Sequence, residues 1–424
     1  MAACMLVAVT TISPAHRRLP RWSELGPLLR PKPIELHGDR RRAAAAASVH
    51  DLRAIAQRRV PRAVFDYVDG GAESELSLRA ARSVLEGARF APRTLRDVSQ
   101  PDPSTEILGM RSPIPVVFAP TGFTRMMHSS GELAVARAAG SAGITYALST
   151  MGTTSLEDIA AEIPGCRRWF QLYIWRDRAR SLDLIQRAEA AGYDALILTV
   201  DTAVPGARLR DVRNGMTIPP AIGLRTVVDG ARHPHWWFDL LTTPPLSFAS
   251  LAQWQGTVAE LAATLFDPAL SLDDLAWLRD QWAGKLIVKG ITSLQDATDC
   301  VDVGVDAVVI SNHGGRQLDR SPTPLDVLPR FVEALGDQTE IMVDGSFMSG
   351  SDVVVALCLG ATAVLVGRAY LYGLMAAGEA GVRRTSELLA TETVRTMQLL
   401  GAPTIKDLSP ELVRGLGDPR EELR

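Results

Sequence analysis

The stretch Ser311-Asn312-His313-Gly314-Gly315-Arg316-Gln317-Leu318-Asp319 combines an imidazole, a guanidinium three residues later and two adjacent glycines. It follows directly on the apolar run Ala307-Val308-Val309-Ile310, so it begins where a buried strand must end. At such a tip a neutral imidazole can take up a proton while a guanidinium holds a carboxylate. In a parallel α/β barrel the strand tips form the catalytic face. Taken alone, the same residues also fit a glycine loop with a solvated histidine, so the rest of the chain has to supply the context.

That context is a repeat of strand and helix signals. Short apolar runs recur at 116–118, 145–148, 168–172, 195–200, 285–288, 307–310, 340–343 and 363–366. Between them, helical spacing of apolar residues predicts helices over 131–142, 155–162, 181–191, 294–303, 324–335 and 351–359, several opening on a Ser, Thr or Asp cap. The runs are continuous rather than alternating, which means strands buried on both faces, as in a parallel sheet covered by helices. Eight strands predict a closed (β/α)8 TIM barrel of the α/β class, with an open doubly wound sheet as the structural alternative.

If the barrel closes, functional residues should recur just beyond each run. The eight ends read Pro120-Thr121-Gly122, Ser149-Thr150, Gln171 with Tyr173, Thr199 with Asp201, Lys289-Gly290, Ser311 to Arg316, Asp344-Gly345-Ser346 and Gly367-Arg368. One polar strand end is an ordinary cap or turn; eight converging on one rim describe a site. Gly345, Ser346 and Gly350 are expected to leave open backbone at the seventh end. Together with Gly367-Arg368 at the eighth they occupy the loops where barrels commonly bind a phosphate group, which implies a phosphorylated cofactor. Lys289 closes a buried strand and needs a partner for its ammonium, either an electron-rich ligand at the mouth or a carboxylate such as Asp344.

The 424 residues, 46% hydrophobic and 22% charged, suffice for a barrel of about 250 residues with extensions. The expected organisation is an N-terminal extension over 1–48 with little core of its own, one domain over 49–410 interrupted by an insertion at about 209–284, and a tail over 411–424. The formal net charge of −3 gives no broad basic field, so nucleic acid is excluded as a partner. Cys4, Cys166, Cys300 and Cys358 show no Cys-x-x-Cys pair and no metal-ligand spacing, so no metal site is expected and a reducing cytoplasm is the simplest location. The short apolar run at 1–11 has its basic residues after it and is not read as a signal peptide. Within the insertion, the aromatic and aliphatic cluster at 233–241 is too short to span a bilayer. It suits a peripheral contact with the inner face of the cell membrane, or packing on the barrel or a neighbouring subunit.

The motif at 311–319 resembles the active-site signature of the FMN-dependent α-hydroxy-acid dehydrogenase and oxidase family. Supporting stretches are Phe65-Asp-Tyr-Val-Asp-Gly-Gly-Ala-Glu73, Ala119-Pro-Thr-Gly122, Phe170-Gln-Leu-Tyr173, Leu198-Thr-Val-Asp201, Val288-Lys-Gly290 and Val366-Gly-Arg368. Within the family the chain is most similar to bacterial flavin-dependent L-lactate dehydrogenases. The resemblance implies that His313 is the active-site base and Asp201 its partner carboxylate, and that Arg316 and Arg208 hold the substrate carboxylate, with Arg210 a rival to Arg208. It implies that Tyr67 and Tyr173 bond the substrate. It implies FMN lined by Pro120, Thr121, Gly122, Ser149, Gln171 and Thr199, with Lys289 at the N1/C2 edge of the ring and Ser311 at the ribityl chain. Gly345, Ser346, Gly367 and Arg368 then hold the phosphate, and a homotetramer is the expected assembly.

Two departures matter. The family usually carries an Arg where this chain has Met348, which removes one phosphate-binding cation. Gly122 stands where oxidases of the family tend to carry Ala, and this favours a dehydrogenase that passes electrons to a quinone or another acceptor than oxygen. Met151 replaces a bulkier aromatic of glycolate oxidase, which suits the methyl group of lactate. The expected reaction is oxidation of (S)-2-hydroxy acids, above all L-lactate to pyruvate. The alternatives are an oxygen-using oxidase of the same family and, in a different class, a barrel lyase or isomerase acting on phosphorylated substrates.

Overall fold

The computed structural model describes residues 19, 21–26, 35–215, 229–249 and 266–415. The chain divides into two compact units, Met1–Leu36 and His37–Arg424. Of the first, the described residues include a helical turn at Trp22–Leu25. In the second, helices α1 (Gly38–Ala45), α2 (Val49–Arg59), α3 (Arg62–Asp69) and α4 (Leu76–Gly87) precede the barrel.

The barrel strands are β1 (Val116–Phe118), β2 (Thr145–Ser149), β3 (Arg168–Leu172), β4 (Ala195–Thr199), β5 (Lys285–Ile291), β6 (Ala307–Ile310), β7 (Glu340–Asp344) and β8 (Ala363–Val366). Helices α5 (Gly131–Ala142), α6 (Leu156–Glu162) and α7 (Arg178–Ala190) follow the first three strands. After β4 come α8 (Pro234–Thr242) and α9 (Leu272–Gln281). Helices α10 (Leu294–Asp302), α11 (Pro324–Leu335), α12 (Gly350–Cys358) and α13 (Arg368–Leu400) follow the last four strands. The strands pair in parallel in sequence order, and β8 returns to β1, so the predicted (β/α)8 barrel closes.

Why the runs are continuous is visible along each strand. Val117, Ala147, Trp169, Ile197, Ile287, Val309, Met342 and Leu365 point into the barrel as one buried cluster. Their neighbours Val116, Phe118, Leu148, Phe170, Leu196 and Val288 pack outward in a second cluster under the helices. Each such side chain contributes about 1.5–3 kcal/mol by leaving water. A hairpin of Thr105–Ile107 and Met110–Ser112 sets Ile107 and Leu108 into the inner cluster, plugging the amino-terminal end. The carboxyl-terminal rim is left to carry the chemistry.

The domain limits differ from expectation at both ends. Residues 38–48 do not belong to an extension: Ala43 and Ala46 are buried, Arg42 Nε donates to Ala376 O at 2.9 Å, and Arg384 Nε donates to Ala46 O at 3.0 Å. Alanines give α1 a smooth face that lets it lie close on α13. At the other end, Val413 and Arg414 pair antiparallel with Phe90 and Arg89, and Leu412 is buried, so the tail expected from 411 starts inside the domain. The first 18 residues, the insertion segments 216–228 and 250–265, and residues 416–424 lie outside the described residues. No helix among the described residues is long and apolar enough to cross a membrane.

Candidate active site

Beyond β6 the backbone takes three successive left-handed residues, His313 (φ 59°), Gly314 (φ 62°) and Gly315 (φ 73°). A side-chain-bearing residue there is uncommon and needs local support. His313 N donates to Ser311 Oγ at 3.0 Å, Gly315 N to Asn312 Oδ1 at 3.0 Å, and Asn312 Nδ2 to Pro322 O at 3.1 Å. The turn brings the imidazole to Asp201, just beyond β4, with Nδ1 at 3.0 and 3.2 Å from the two carboxylate oxygens. An ionised carboxylate only accepts, so Nδ1 carries a proton and Nε2 is the basic nitrogen. Burial alone would raise the Asp201 carboxyl, but the charge and hydrogen bond of His313, with Lys289 behind them, hold it below its ordinary value.

The approach of Asp201 depends on Gly290. At φ 110° this glycine sits in a β5 register shift, and a Cβ placed on it would lie 2.7 Å from Asp201 Cγ. Only a glycine lets the two strand ends meet this closely.

Arg208 and Arg316 flank Tyr67, their guanidinium carbons 5.5 and 5.0 Å from its ring centre. Arg316 Nη1 donates to Tyr67 O at 2.6 Å and Gly70 O at 3.2 Å. It makes no ion pair among the described residues, and burial first, then the charge of Arg208, push its guanidinium down to about 10. A cation so placed calls for an anionic ligand. Arg208 has Asp211 Oδ2 at 4.0 Å. Arg210 is committed elsewhere, to Glu75 at 2.5 Å, Asp69 at 3.0 Å and Asp66 at 3.6 Å, tying its turn to α3 and α4. Of the two rivals, Arg208 is the one that faces Tyr67 together with Arg316. Tyr173 lies among the same groups: burial first, then Asp201 and Tyr67, raise its hydroxyl, against the pull of Arg208 and Arg316.

The floor of the mouth is polar and incompletely bonded. Lys289, 4% exposed, bonds Asp344 Oδ2 at 2.8 Å and Ser311 Oγ at 2.9 Å. Burial opposes its charge, but Asp344 and Asp201 outweigh that and raise it. The carboxylate partner left open by the sequence is thus present. Ser149 Oγ donates to Gln171 Oε1 at 2.9 Å, and Thr199 stands beside Lys289 in the β4–β5 register. Gln171 Nε2, Asp344 Oδ1 and Ser346 Oγ are buried without partners among the described residues. Orphaned buried polar atoms are rare in folded proteins, and three around one mouth fit a polar ligand such as the flavin ring and its side chain.

Pro120, Thr121 and Gly122 line the same rim. Thr121 Oγ1 lies 2.7 Å from Tyr370 OH of α13, and a Cβ at Gly122 would stand 2.9 Å from Met151 Cβ. At the β7 and β8 ends, where the phosphate is expected, Gly345 has φ 113° and Ser346 φ 63°, while a Cβ at Gly367 would meet nothing closer than 3.6 Å. Gly367 caps α13, so this backbone is open at a helix N-terminus. Arg368 is less free than expected: its guanidinium donates to Val68 O, Gly314 O and Gly70 O, each at 2.9 Å, which leaves two of its five N–H groups. Gly350 does not offer open backbone. Its N–H donates to Glu392 Oε2 at 2.8 Å, and a Cβ would fall 2.2 Å from Thr393 N, so this glycine serves the close packing of α12 on α13.

Some participants carried no usable sequence signal. Gln317 Nε2 donates to Asp201 O at 2.9 Å and Val204 O at 3.0 Å, and its Oε1 accepts from Gly206 N at 2.9 Å, fastening the loop of Asp201 and Arg208 to that of His313 and Arg316. Its place in the motif was the only hint. Phe248 and Phe266, on either side of segment 250–265 of the insertion, pack on Phe123 (4.6 Å between ring centres) and Tyr173 (5.5 Å). They give the mouth an apolar wall that nothing in the insertion's sequence announced.

The family model for FMN-dependent dehydrogenases matches residues 56–415. The chain is 55% identical over 401 residues to a Mycobacterium tuberculosis protein provisionally named an L-lactate dehydrogenase, covering 95% of this chain and 97% of that one. It is 40% identical over 374 residues to an L-lactate dehydrogenase of Caulobacter vibrioides, covering 87% and 97%. A crystal structure of the monotopic membrane protein (S)-mandelate dehydrogenase superposes with a TM-score of 0.84 at 40% identity, covering 88% of this chain and all of that one. A closed (β/α)8 barrel matched over most of its length by this family model and these relatives belongs to the FMN-dependent α-hydroxy-acid dehydrogenase family.

Proposed function

We propose that the protein oxidises (S)-2-hydroxy acids, foremost L-lactate to pyruvate, and passes the electrons to a quinone at the membrane surface. The observation that carries the reading is the hydrogen-bonded His313–Asp201 pair in the same loop region as Arg316, which lacks an ion pair among the described residues. Arg208 and Arg316 would take the substrate carboxylate as planar forks, with Tyr67 and Tyr173 bonding the substrate beside them. His313 Nε2 accepts a proton from the substrate, and Asp201 stabilises the imidazolium that results. FMN, when bound, takes up the two electrons that the substrate loses. Gln171, Ser149, Thr199 and the backbone of Pro120 to Gly122 would hold the ring. Lys289 would place positive charge at its edge, and Gly345, Ser346, Gly367 and the spare donors of Arg368 would hold the phosphate. Asp344 serves through Lys289.

Two features support a non-oxygen acceptor. Gly122 lacks a methyl group where a Cβ would press on Met151. Helix α8 presents Phe238 and Leu241 to solvent, 68% and 75% exposed, as a helix lying in a membrane interface would. The mandelate dehydrogenase relative is described as a monotopic membrane protein. The protein would then work at the inner face of the cell membrane, and the resemblance extends the proposal to a homotetramer, which sedimentation of the holoenzyme measures.

The apolar wall of Phe123, Met151, Phe248 and Phe266 favours a second reading of the substrate, an aromatic 2-hydroxy acid. Anaerobic mixing of the yellow holoenzyme with a panel of 2-hydroxy acids separates these. Fast bleaching by L-lactate supports the first, and bleaching by (S)-mandelate alone the second. Reoxidation by oxygen as fast as by quinone analogues would refute the acceptor, and no bleaching with any hydroxy acid would refute both substrate readings.

A further inference from the structure

A cleft of about 480 Å³ between α1 and α2 is lined by Arg41, Arg42, Arg58 and Arg59 over an apolar floor that includes Ile55. The lining carries one carboxylate, Asp51, whose Oδ2 caps α2 by accepting from Ala47 N at 2.9 Å and Ser48 N at 3.0 Å. Four cations less one anion leave the cleft with three net positive charges. Arg42 pairs with Asp39 beside the cleft, whereas Arg41, Arg58 and Arg59 make no ion pair among the described residues. Like charges gathered in one cleft favour an outside anion. Burial, then Arg42, lowers the Arg59 guanidinium, with only partial relief from Asp39 and Asp239.

The cleft adjoins α8. Asp229, just ahead of that helix, accepts from Arg62 N at 2.6 Å, and Asp239 within it reaches Arg59 electrostatically. The inner side of α8 is fixed by Trp236 Nε1 donating to Met126 O at 2.8 Å, while Phe238 and Leu241 stay in solvent. Guanidiniums over an apolar floor, next to a helix that exposes large apolar side chains, match a phosphate head group at the acyl boundary. We propose that the α1–α2 cleft binds the phosphate groups of anionic phospholipids and seats the enzyme on the membrane beside α8. The proposal rests on the membrane-surface part of the function given above.

Flotation of FMN-loaded enzyme with phosphatidylcholine vesicles, with and without phosphatidylglycerol, tests it. Arg41→Gln and Arg58→Gln alter exposed side chains far along the chain from the catalytic motif, so reduction of a soluble dye by 2-hydroxy acid serves as the folding control. Each is expected to lower partitioning onto anionic vesicles by roughly fivefold and to leave binding to neutral vesicles unchanged. Salt should erase the difference between wild type and variants. Phe238→Ser with Leu241→Ser probes the helix separately, on neutral vesicles. Loss there with no effect of the arginines overturns the cleft and keeps the membrane reading; the reverse keeps the cleft and removes α8. Equal binding of wild type and arginine variants to anionic vesicles overturns the proposal. So does a fall in oligomeric mass on sedimentation of the arginine variants, which would make the cleft a contact between subunits.

Discussion

The two halves of the barrel mouth are built on different terms. On the β4–β6 side the protein completes its own acid–base pair, His313 with Asp201, and leaves Arg316 without an ion pair among the described residues. On the β7–β8 side it satisfies its own cations: Arg368 bonds three carbonyls, and Arg82 grips Asp352 in bidentate fashion while donating to Ser346 O at 3.1 Å. Met348 brings no charge and donates its N–H to Asp352 at 2.8 Å. The first half is held ready for a ligand, and the second offers mainly backbone and a helix N-terminus. On the proposed function, chemistry would depend on single side chains, whereas cofactor retention would be spread over many weak donors.

The largest consequence is at His313. Replacement by Gln should leave FMN bound, judged by the visible flavin spectrum, and slow its reduction by substrate on the order of 10²–10⁴-fold; an unchanged rate would remove the base from this side. Asp201→Asn should slow reduction on the order of a hundredfold, because the imidazolium loses its counter-charge. The same change tests linkage. A carboxylate held below its ordinary value stabilises the fold fully above the ordinary carboxylate range, and that contribution disappears as pH falls through the lowered value. Thermal melts of wild type should therefore decline more steeply in acid than those of the Asn variant, and parallel curves would contradict the pairing.

A smaller effect separates the neighbouring arginines. Arg208→Lys should raise KM for the hydroxy acid by roughly tenfold through loss of the planar fork, with little change in melting temperature. Arg210→Lys should do the opposite, lowering stability by about 1.5–3 kcal/mol through its contacts with Asp69 and Glu75. The smallest expected change is at the phosphate side. Met348→Arg should leave FMN affinity equal or tighter on flavin titration of the apoprotein, and marked weakening would show that the β7 loop does not face the phosphate.

How much of this was legible in the sequence follows the range of the forces involved. The strands were legible because both of their faces are buried, which writes an unbroken apolar run. The end of β5 was not, since the turn to Ile291 rests on the Gly290 bulge against Asp201. A helical N-terminal extension was expected, but the packing of α1 into the domain was not legible, because an alanine run lacks polar contrast, although alanine is what its approach to α13 requires. His313, Asp201 and Arg316 could be placed from motif and strand end together. Arg208 and Arg210 could not be separated, because the difference lies in carboxylates on α3 and just ahead of α4, more than 130 positions away. Gly350 failed for the same reason, its N–H being taken by Glu392.

A crystal structure of the FMN-loaded enzyme with a 2-oxo acid bound is the most direct measurement. It should show the acid's carboxylate between Arg208 and Arg316, its keto group within reach of Tyr67 or Tyr173, and His313 Nε2 against the carbon that is oxidised, all over a flavin ring edged by Lys289. A carboxylate held by Arg210, or a flavin that leaves His313 and Lys289 on separate faces of the protein, would contradict the shared mouth on which the mechanism depends.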